Sequence, residues 1–274
     1  VILEVKSTSI NHLDVWVRGG LSGLPIPLPL IMGSDASGVI VEVGQDVSDL
    51  KVGDEVVVQP GTFCGECEFC KSGKENYCIH YGILGETENG VQAEFVSLSP
   101  INIYPKATHL TFEEAASMPL VFMTAYQMLI TRAQLQSNET VLVYGASSGV
   151  GSAAIQIAKE MGATVIATVG SEDKSTHAQK MGVDHIVNHY EDDWHNSVND
   201  FVGKKGVNVI FEHVGPATWP YSMRLLGKGG RVVTCGATTG PKVDINLTHL
   251  FMKQQTILGS TMSDISSYRT VMDK

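Results

Sequence analysis

The sequence predicts an α/β fold: a doubly wound parallel sheet preceded by a smaller, mainly β domain. Three observations carry this. Short β patterns alternate with turn signals up to about residue 110. Strand and helix patterns alternate after residue 141. Between them lies one organising stretch. There an apolar run, Val141 to Tyr144, leads into Gly145-Ala146-Ser147-Ser148-Gly149-Val150-Gly151 and then into a helical pattern.

In the first part, residues 2–6 read as a strand. Residues 24–30, Leu-Pro-Ile-Pro-Leu-Pro-Leu, read as extended, because each proline pushes its predecessor out of helical geometry. Residues 38–44 form a strand bounded by Gly38 and Gly44. Gly53-Asp54 is a turn that starts a strand over 55–59, and 93–98 is another strand. Many short strands at this spacing suggest a small barrel-like domain. From Thr111 the period becomes helical. Thr111-Phe112-Glu113-Glu114 is a capping box, in which hydroxyl and carboxylate each reach a free N–H. A second helix starts after Pro119 and runs to about Ala133, and this helix pair is expected at the junction between domains.

After the glycine loop a helix runs to about Met161, stopped by Gly162. A strand follows over 163–169, a helix over 174–181 ended by Gly182, and strands over 184–188, 207–211 and 230–235. This alternation predicts helices on both faces of a parallel sheet. No internal repeat or low-complexity tract interrupts it.

Composition narrows the function. A chain of 274 residues is long enough for about two domains. A net charge of −10 argues against a nonspecific nucleic-acid binder, which needs a basic footprint. No apolar run reaches about 18 residues, so no membrane span is expected; the most apolar stretch, 115–130, is broken by Pro119. No secretory signal is visible at the start. The chain begins at Val1 within a strand-like pattern and ends at Lys274 within a helical one. It therefore reads as a piece of a longer chain.

Four of the five cysteines, Cys64, Cys67, Cys70 and Cys78, crowd one loop-rich segment, and Cys235 stands apart. Such crowding in a large chain favours metal over disulfides, and a reducing, cytoplasmic compartment. Four thiolates make a closed tetrahedron about 2.3 Å from a zinc ion, leaving no position for water. The expectation is one structural zinc that pins the lobe at about 60–80; disulfides or reduced surface thiols are the alternative. At the glycine loop, backbone comes close to a pyrophosphate, and the unpaired N–H groups of the first helical turn face the anion. Gly145, Ser148, Gly149, Val150 and Gly151 are the candidate contacts.

An NAD-binding unit places an acid about twenty residues past such a loop, to bind the ribose 2′-OH. Here that strand end reads Thr168-Val169-Gly170-Ser171. Its small, neutral tip leaves room for a 2′-phosphate, with Ser171 as donor and Lys174 as cation. NADP(H) is favoured over NAD(H) on this ground. Glu172 and Asp173 stand against it if they face the phosphate; they also suit a solvated helix start.

The cysteine lobe, the β domain before it and the glycine loop after it resemble the medium-chain dehydrogenase/reductase superfamily over nearly the whole chain. That superfamily includes zinc alcohol dehydrogenases and quinone oxidoreductases. The resemblance implies a GroES-like substrate domain over 1–118, a Rossmann domain over 119–260, and the start of a segment returning to the first domain over 261–274. It implies a substrate pocket between the two domains. It adds His189 as a further contact for the 2′-phosphate or adenosine end. Val214, with Gly215, is implied beside the pyrophosphate or ribose, and Gly236 and Thr238 near the nicotinamide ribose. Cys235 reads as a buried strand-end thiol.

The resemblance also implies three positions that hold a catalytic zinc in the alcohol dehydrogenases. Here they are Asn11, Ser34 and Leu120, none of them a zinc ligand. Asp35 keeps a carboxylate beside the site. Without a Lewis acid the site suits acceptors that already take hydride well. The implied reaction is hydride transfer from NADPH to a quinone or an activated alkene or enone. An alcohol dehydrogenase, or a non-catalytic NADPH-binding protein, is the alternative. Asn11 and Asp14 are candidates for orienting carboxamide or acceptor, and Thr124 for touching the nicotinamide. His12 is a candidate proton donor or else a polar loop residue; Tyr126 reads as helix packing. The partner is a small-molecule acceptor, with no nucleic acid or membrane, and a homodimer or homotetramer is implied, through the sheet edge around 257–262.

Overall fold

The computed structural model describes residues 1–20, 23 and 25–274. These fall into two compact units: Val1–Met123 with Met262–Lys274, and Thr124–Thr261.

In the first unit β1 (Ile2–Ser9) leads into helix α1 (His12–Gly19). Strands β2 (Asp35–Glu42) and β3 (Glu55–Val58) follow. A short ribbon of β4 (Gly61–Thr62) and β5 (Gly82–Ile83) brackets a lobe containing α2 (Glu68–Lys71). Then come β6 (Phe95–Ser97), β7 (Ile103–Pro105), α3 (Phe112–Ala116) and α4 (Pro119–Tyr126). The antiparallel sheet has the order β6-β1-β2-β3-β7. Leu3, Ile40, Val56 and Val58 fill its core with no exposed surface. Burying each such side chain stabilises the unit by roughly 1.5–3 kcal/mol. The capping box at Thr111 is present: Glu114 N donates to Thr111 Oγ1 at 3.2 Å and Thr111 N to Glu114 Oε2 at 2.9 Å.

Several expectations shift. β2 begins at Asp35, because Ser9 and Thr8 pair with Asp35 and Ala36 and draw the strand back past Gly38. Residues 25–30 form neither helix nor strand, and Leu24 lies outside the described residues. Residue 12 is not in a loop: His12 opens α1, lies exposed, and packs edge-on against Trp16. The helix expected to run to Ala133 ends as α4 at Tyr126 and continues as a wider π turn, Gln127–Arg132. Ala133 N closes that turn on Met128 O at 2.9 Å.

The second unit is built on β8 (Thr140–Val143), α5 (Gly149–Glu160), β9 (Thr164–Val169), α6 (Glu172–Lys180) and β10 (His185–Asn188). It continues through α7 (Trp194–Val202), β11 (Val207–Glu212), α8 (Trp219–Leu225), β12 (Leu226–Thr234), α9 (Leu247–Met252) and β13 (Thr256–Gly259). All six strands are parallel, in the order β10-β9-β8-β11-β12-β13. The strand that sequence places at 230–235 is longer, since Leu226 already pairs with Val207 before a register shift. The chain then enters α10 (Ile265–Asp273), which packs in the first unit through Met262, Tyr268 and Met272. No described helix is long and apolar enough to cross a membrane.

Candidate functional site

The order reversal between β8 and β11 sets the place of the glycine loop. Gly145, two residues past the end of β8, takes φ +63°, a left-handed conformation that favours glycine. Its N–H donates to Thr168 Oγ1 at 3.0 Å, and Ala146 N donates to Thr168 O at 2.9 Å, so β9 holds the loop's first half. Ser148 caps α5, its Oγ accepting from Gly151 N at 3.0 Å. Gly151 passes so close beneath that a Cβ there would sit 2.2 Å from Gly145 O. This is a backbone cradle with its open amides at a helix start, the form that an anion such as a pyrophosphate fits.

The other sequence-predicted contacts of this unit lie at the same carboxyl edge of the sheet. Gly170 and Ser171 follow β9, with Ser171 and Lys174 exposed at the start of α6. Burial, and then the nearby Lys174 ammonium, hold the His189 imidazole below its usual pKa, so Lys174 and His189 are electrostatic neighbours. Glu172 and Asp173 are exposed in the same helical turn. Val214 follows β11; its carbonyl accepts from Thr239 N at 2.8 Å and from Thr239 Oγ1 at 2.7 Å. Gly236 and Thr238 follow β12, and Thr238 Oγ1 donates to His213 O at 3.0 Å. Burial and then the Glu212 carboxylate push the Cys235 thiol up to about 12, so it is unreactive near neutral pH.

Thr124 is buried in α4, and its hydroxyl has no hydrogen-bond partner among the described residues. An orphaned buried hydroxyl is costly unless something bound satisfies it. The cradle itself fits the pyrophosphate of a dinucleotide.

In the first unit, Asp35 gathers the positions implied for the missing zinc ligands. Its Oδ2 accepts from Asn11 Nδ2 at 2.8 Å and from Ser9 Oγ at 3.0 Å, and its Oδ1 from Leu120 N at 2.9 Å. Ser34, next in chain, turns its hydroxyl to Leu84 O at 2.8 Å. Asp14 is also buried and accepts from Asn11 N at 2.7 Å, so it caps its own helix. Burial drives the Asp35 carboxyl up to about 6, against the pull of its three donors. Asp35 is the residue that sequence reasoning underweighted. Its signal was present, an acid following Gly33-Ser34, but not its three partners.

The four cysteine sulfurs converge within 4.8 Å of one another. Measured pairs are 3.5 Å (Cys67 with Cys70), 3.5 Å (Cys64 with Cys78) and 3.9 Å (Cys64 with Cys70). Tetrahedral zinc thiolate geometry requires roughly 3.8 Å between sulfurs. His80 N and Cys64 N point at Cys78 Sγ at 3.3 and 3.5 Å, as amides do around ligating thiolates. The donor set fits a closed zinc site.

A parallel sheet with its glycine loop at the order reversal, in one chain with an antiparallel β unit, has the architecture of an NAD(P)-dependent dehydrogenase or reductase. Residues 1–108 match the family Alcohol dehydrogenase GroES-like domain, and 149–274 the family Zinc-binding dehydrogenase. The chain belongs to the medium-chain dehydrogenase/reductase superfamily and is an NAD(P)-dependent oxidoreductase of that class. It is 32% identical to the crotonyl-CoA carboxylase/reductase of Cereibacter sphaeroides, over 97% of this chain and 69% of that one. It is 32% identical to the quinone oxidoreductase of Mus musculus, over 96% and 72%. A solved structure of an NAD-dependent alcohol dehydrogenase superposes with a TM-score of 0.95 at 43% identity, covering 100% of this chain and 80% of that one.

Two outcomes are expected. Gly151→Ala forces the new Cβ against Gly145 O and should lower unfolding free energy by at least about 2 kcal/mol, read from urea denaturation; an unchanged midpoint refutes the close approach. For Asp35, the raised folded-state pKa means that the folded protein keeps a proton the unfolded chain gives up. Its stabilisation is complete below the ordinary carboxylate pKa of 3.8 and is lost as pH rises through about 6. That loss amounts to about 3 kcal/mol. Asp35→Asn, neutral at every pH, should lack this dependence, so the parent should lose about 3 kcal/mol of stability relative to the variant as pH rises from about 4 to about 7, read from denaturation midpoints. Parallel pH profiles would contradict it.

Proposed function

We propose that this enzyme transfers hydride from NADPH to a quinone or to an alkene conjugated with a carbonyl. One observation carries the reading: Asn11, Ser34 and Leu120 stand where the zinc ligands of alcohol dehydrogenases are implied, and both oxygens of the neighbouring Asp35 are taken by N–H and O–H donors. These residues do not fit a Lewis-acid metal, so nothing here polarises an unactivated ketone. A conjugated acceptor needs less help. The names of two relatives, a quinone oxidoreductase and a crotonyl-CoA carboxylase/reductase, point to acceptors of this kind.

A bound nicotinamide dinucleotide supplies the hydride. In this proposal the residues of the chain bind and orient it. Gly145, Ser148, Gly149, Val150 and Gly151 receive the pyrophosphate; Gly170, Ser171, Lys174 and His189 receive the 2′-phosphate. Val214, Gly236 and Thr238 line the ribose side, and the orphan hydroxyl of Thr124 takes the nicotinamide. Asn11 and Asp14 orient the acceptor, with His12 at the exposed start of α1 as the candidate proton donor. Cys64, Cys67, Cys70 and Cys78 hold one structural zinc. A homodimer or homotetramer through the free edge of β13, and a cytoplasmic location, accompany this reading.

A second reading is an NAD-dependent alcohol dehydrogenase, favoured by the 43% identity to a structure of that name. Acceptors and metal content separate the two. Purified protein should consume NADPH with a quinone or an enone and contain about one zinc per chain. Turnover of simple alcohols with two zincs per chain favours the second reading, and dinucleotide binding without any turnover overturns the first. Lys174→Ala should raise KM for NADPH about tenfold and leave that for NADH within about twofold. Equal effects on both cofactors would remove Lys174 from the 2′-phosphate site.

A further inference from the structure

His213, the first residue after β11, ties together three strand ends at the order reversal. Its Nε2 lies 2.9 Å from Tyr144 O, the carbonyl directly before Gly145. At this point the sheet ladder is already stretched, since Tyr144 N reaches Phe211 O only at 3.5 Å. A carbonyl can only accept, so His213 Nε2 carries the proton and the tautomer is fixed by geometry. The ring rests against the glycine loop: a Cβ on Gly145 would sit 3.7 Å from His213 Cε1. Phe211 packs against its other side, ring centroids 6.1 Å apart at 68°. The main-chain carbonyl of His213 accepts from Thr238 Oγ1 at 3.0 Å, which brings in the loop after β12.

The backbone at this position has little freedom. The preceding Glu212 is fully buried, and its Oε1 accepts from Val214 N at 2.7 Å and Gly215 N at 3.1 Å. Thr218 Oγ1 and Ser222 Oγ donate to its Oε2 at 2.8 and 3.0 Å. The chain on either side of His213 is therefore fixed, and its imidazole is a rigid strut aimed at the root of the phosphate cradle.

We propose that His213 is a positioning residue of the dinucleotide site. By donating Nε2–H to Tyr144 O it sets the height of Gly145, and through Gly145 the loop that ends in the Ser148 cap and the first amides of α5. It acts through the loop rather than on the reacting atoms. The inference rests on the dinucleotide-binding reading but not on any particular acceptor.

The test uses the full chain and needs no turnover. His213→Val keeps a β-compatible apolar side chain at the strand end and removes the donor; His213→Gln keeps an N–H at about the Nε2 position. Dissociation constants for NADPH and NADH are measured by calorimetry, beside thermal midpoints. His213→Val should weaken both dinucleotides about tenfold while its thermal midpoint stays within a few degrees, and His213→Gln should bind within about threefold of the parent. Nitrogen-15 NMR of the parent, with the His213 signal assigned from the Gln variant, should show the Nε2–H tautomer. Parent-like affinity in His213→Val, an equal loss in His213→Gln, or an Nδ1–H tautomer each overturns the proposal. The tautomer decides it even where the Val variant fails to fold. Absence of dinucleotide binding by the parent overturns the cofactor reading and this inference with it, whereas failure of every acceptor leaves the binding result standing.

Discussion

The second unit depends on one topological constraint. β8 and β11 are adjacent and parallel, yet the chain leaves β8 toward β9 on one side and β11 toward β12 on the other. Loops that depart in opposite directions leave a crevice between the two strand ends. Ladder hydrogen bonds stop there, so the last carbonyls and amides need other partners. Thr168 serves Gly145 and Ala146, His213 faces Tyr144, and Thr238 and Thr239 serve His213 and Val214. The edge at which the dinucleotide site is placed is a set of strand ends completed by side chains.

Two buried acids, one in each unit, solve the same electrostatic problem. Glu212 and Asp35 have no exposed surface. Each is satisfied by N–H and O–H donors: Val214, Gly215, Thr218 and Ser222 for Glu212, and Asn11, Ser9 and Leu120 for Asp35. Removing one donor from such a carboxylate leaves a desolvated oxygen, which costs more than the hydrogen bond itself is worth. These acids therefore act as hubs that fix several segments at once. Asp35 joins the end of β1, the start of α1 and the first turn of α4.

The fold was legible where local chemistry and tertiary context agree. The glycine loop, the Thr111 capping box and the helix stops at Gly162 and Gly182 follow from glycine conformation and cap hydrogen bonds; both stops take positive φ. The α1 helix was missed although Asn11 and Asp14 carry an N-terminal signature, because the segment is short and ends in two glycines. The π turn after Tyr126 has no local signal. It is held from afar, Arg231 Nε donating to Ala133 O at 2.6 Å while its guanidinium pairs with Glu139. The hub role of Asp35 was hidden for the same reason, since its partners lie 24, 26 and 85 residues away in sequence. Sequence shows the short-range caps and turns, and does not show the hydrogen bonds that join residues far apart in the chain.

The cysteine lobe illustrates how a structural element reaches beyond its own ligands. Glu75 lies between Cys70 and Cys78, and its Oε2 accepts from Ile265 N at 3.2 Å, at the start of α10. Tyr81 and Ile83, on leaving the lobe, pack in one cluster with Leu120, Met123 and Tyr268. Tyr104 holds the far end of α10, its hydroxyl bonded to Asp273. The buried Tyr268 hydroxyl is in turn held well above its ordinary pKa, first by burial and then by the Asp35 carboxylate. A metal closed on the four thiols, as proposed, would fix the segment that carries Glu75, and with it one end of the helix laid beside the Asp35 hub. Such closure would suit a lobe with little regular structure, because its few buried apolar side chains contribute little packing energy against the entropy of ordering its backbone.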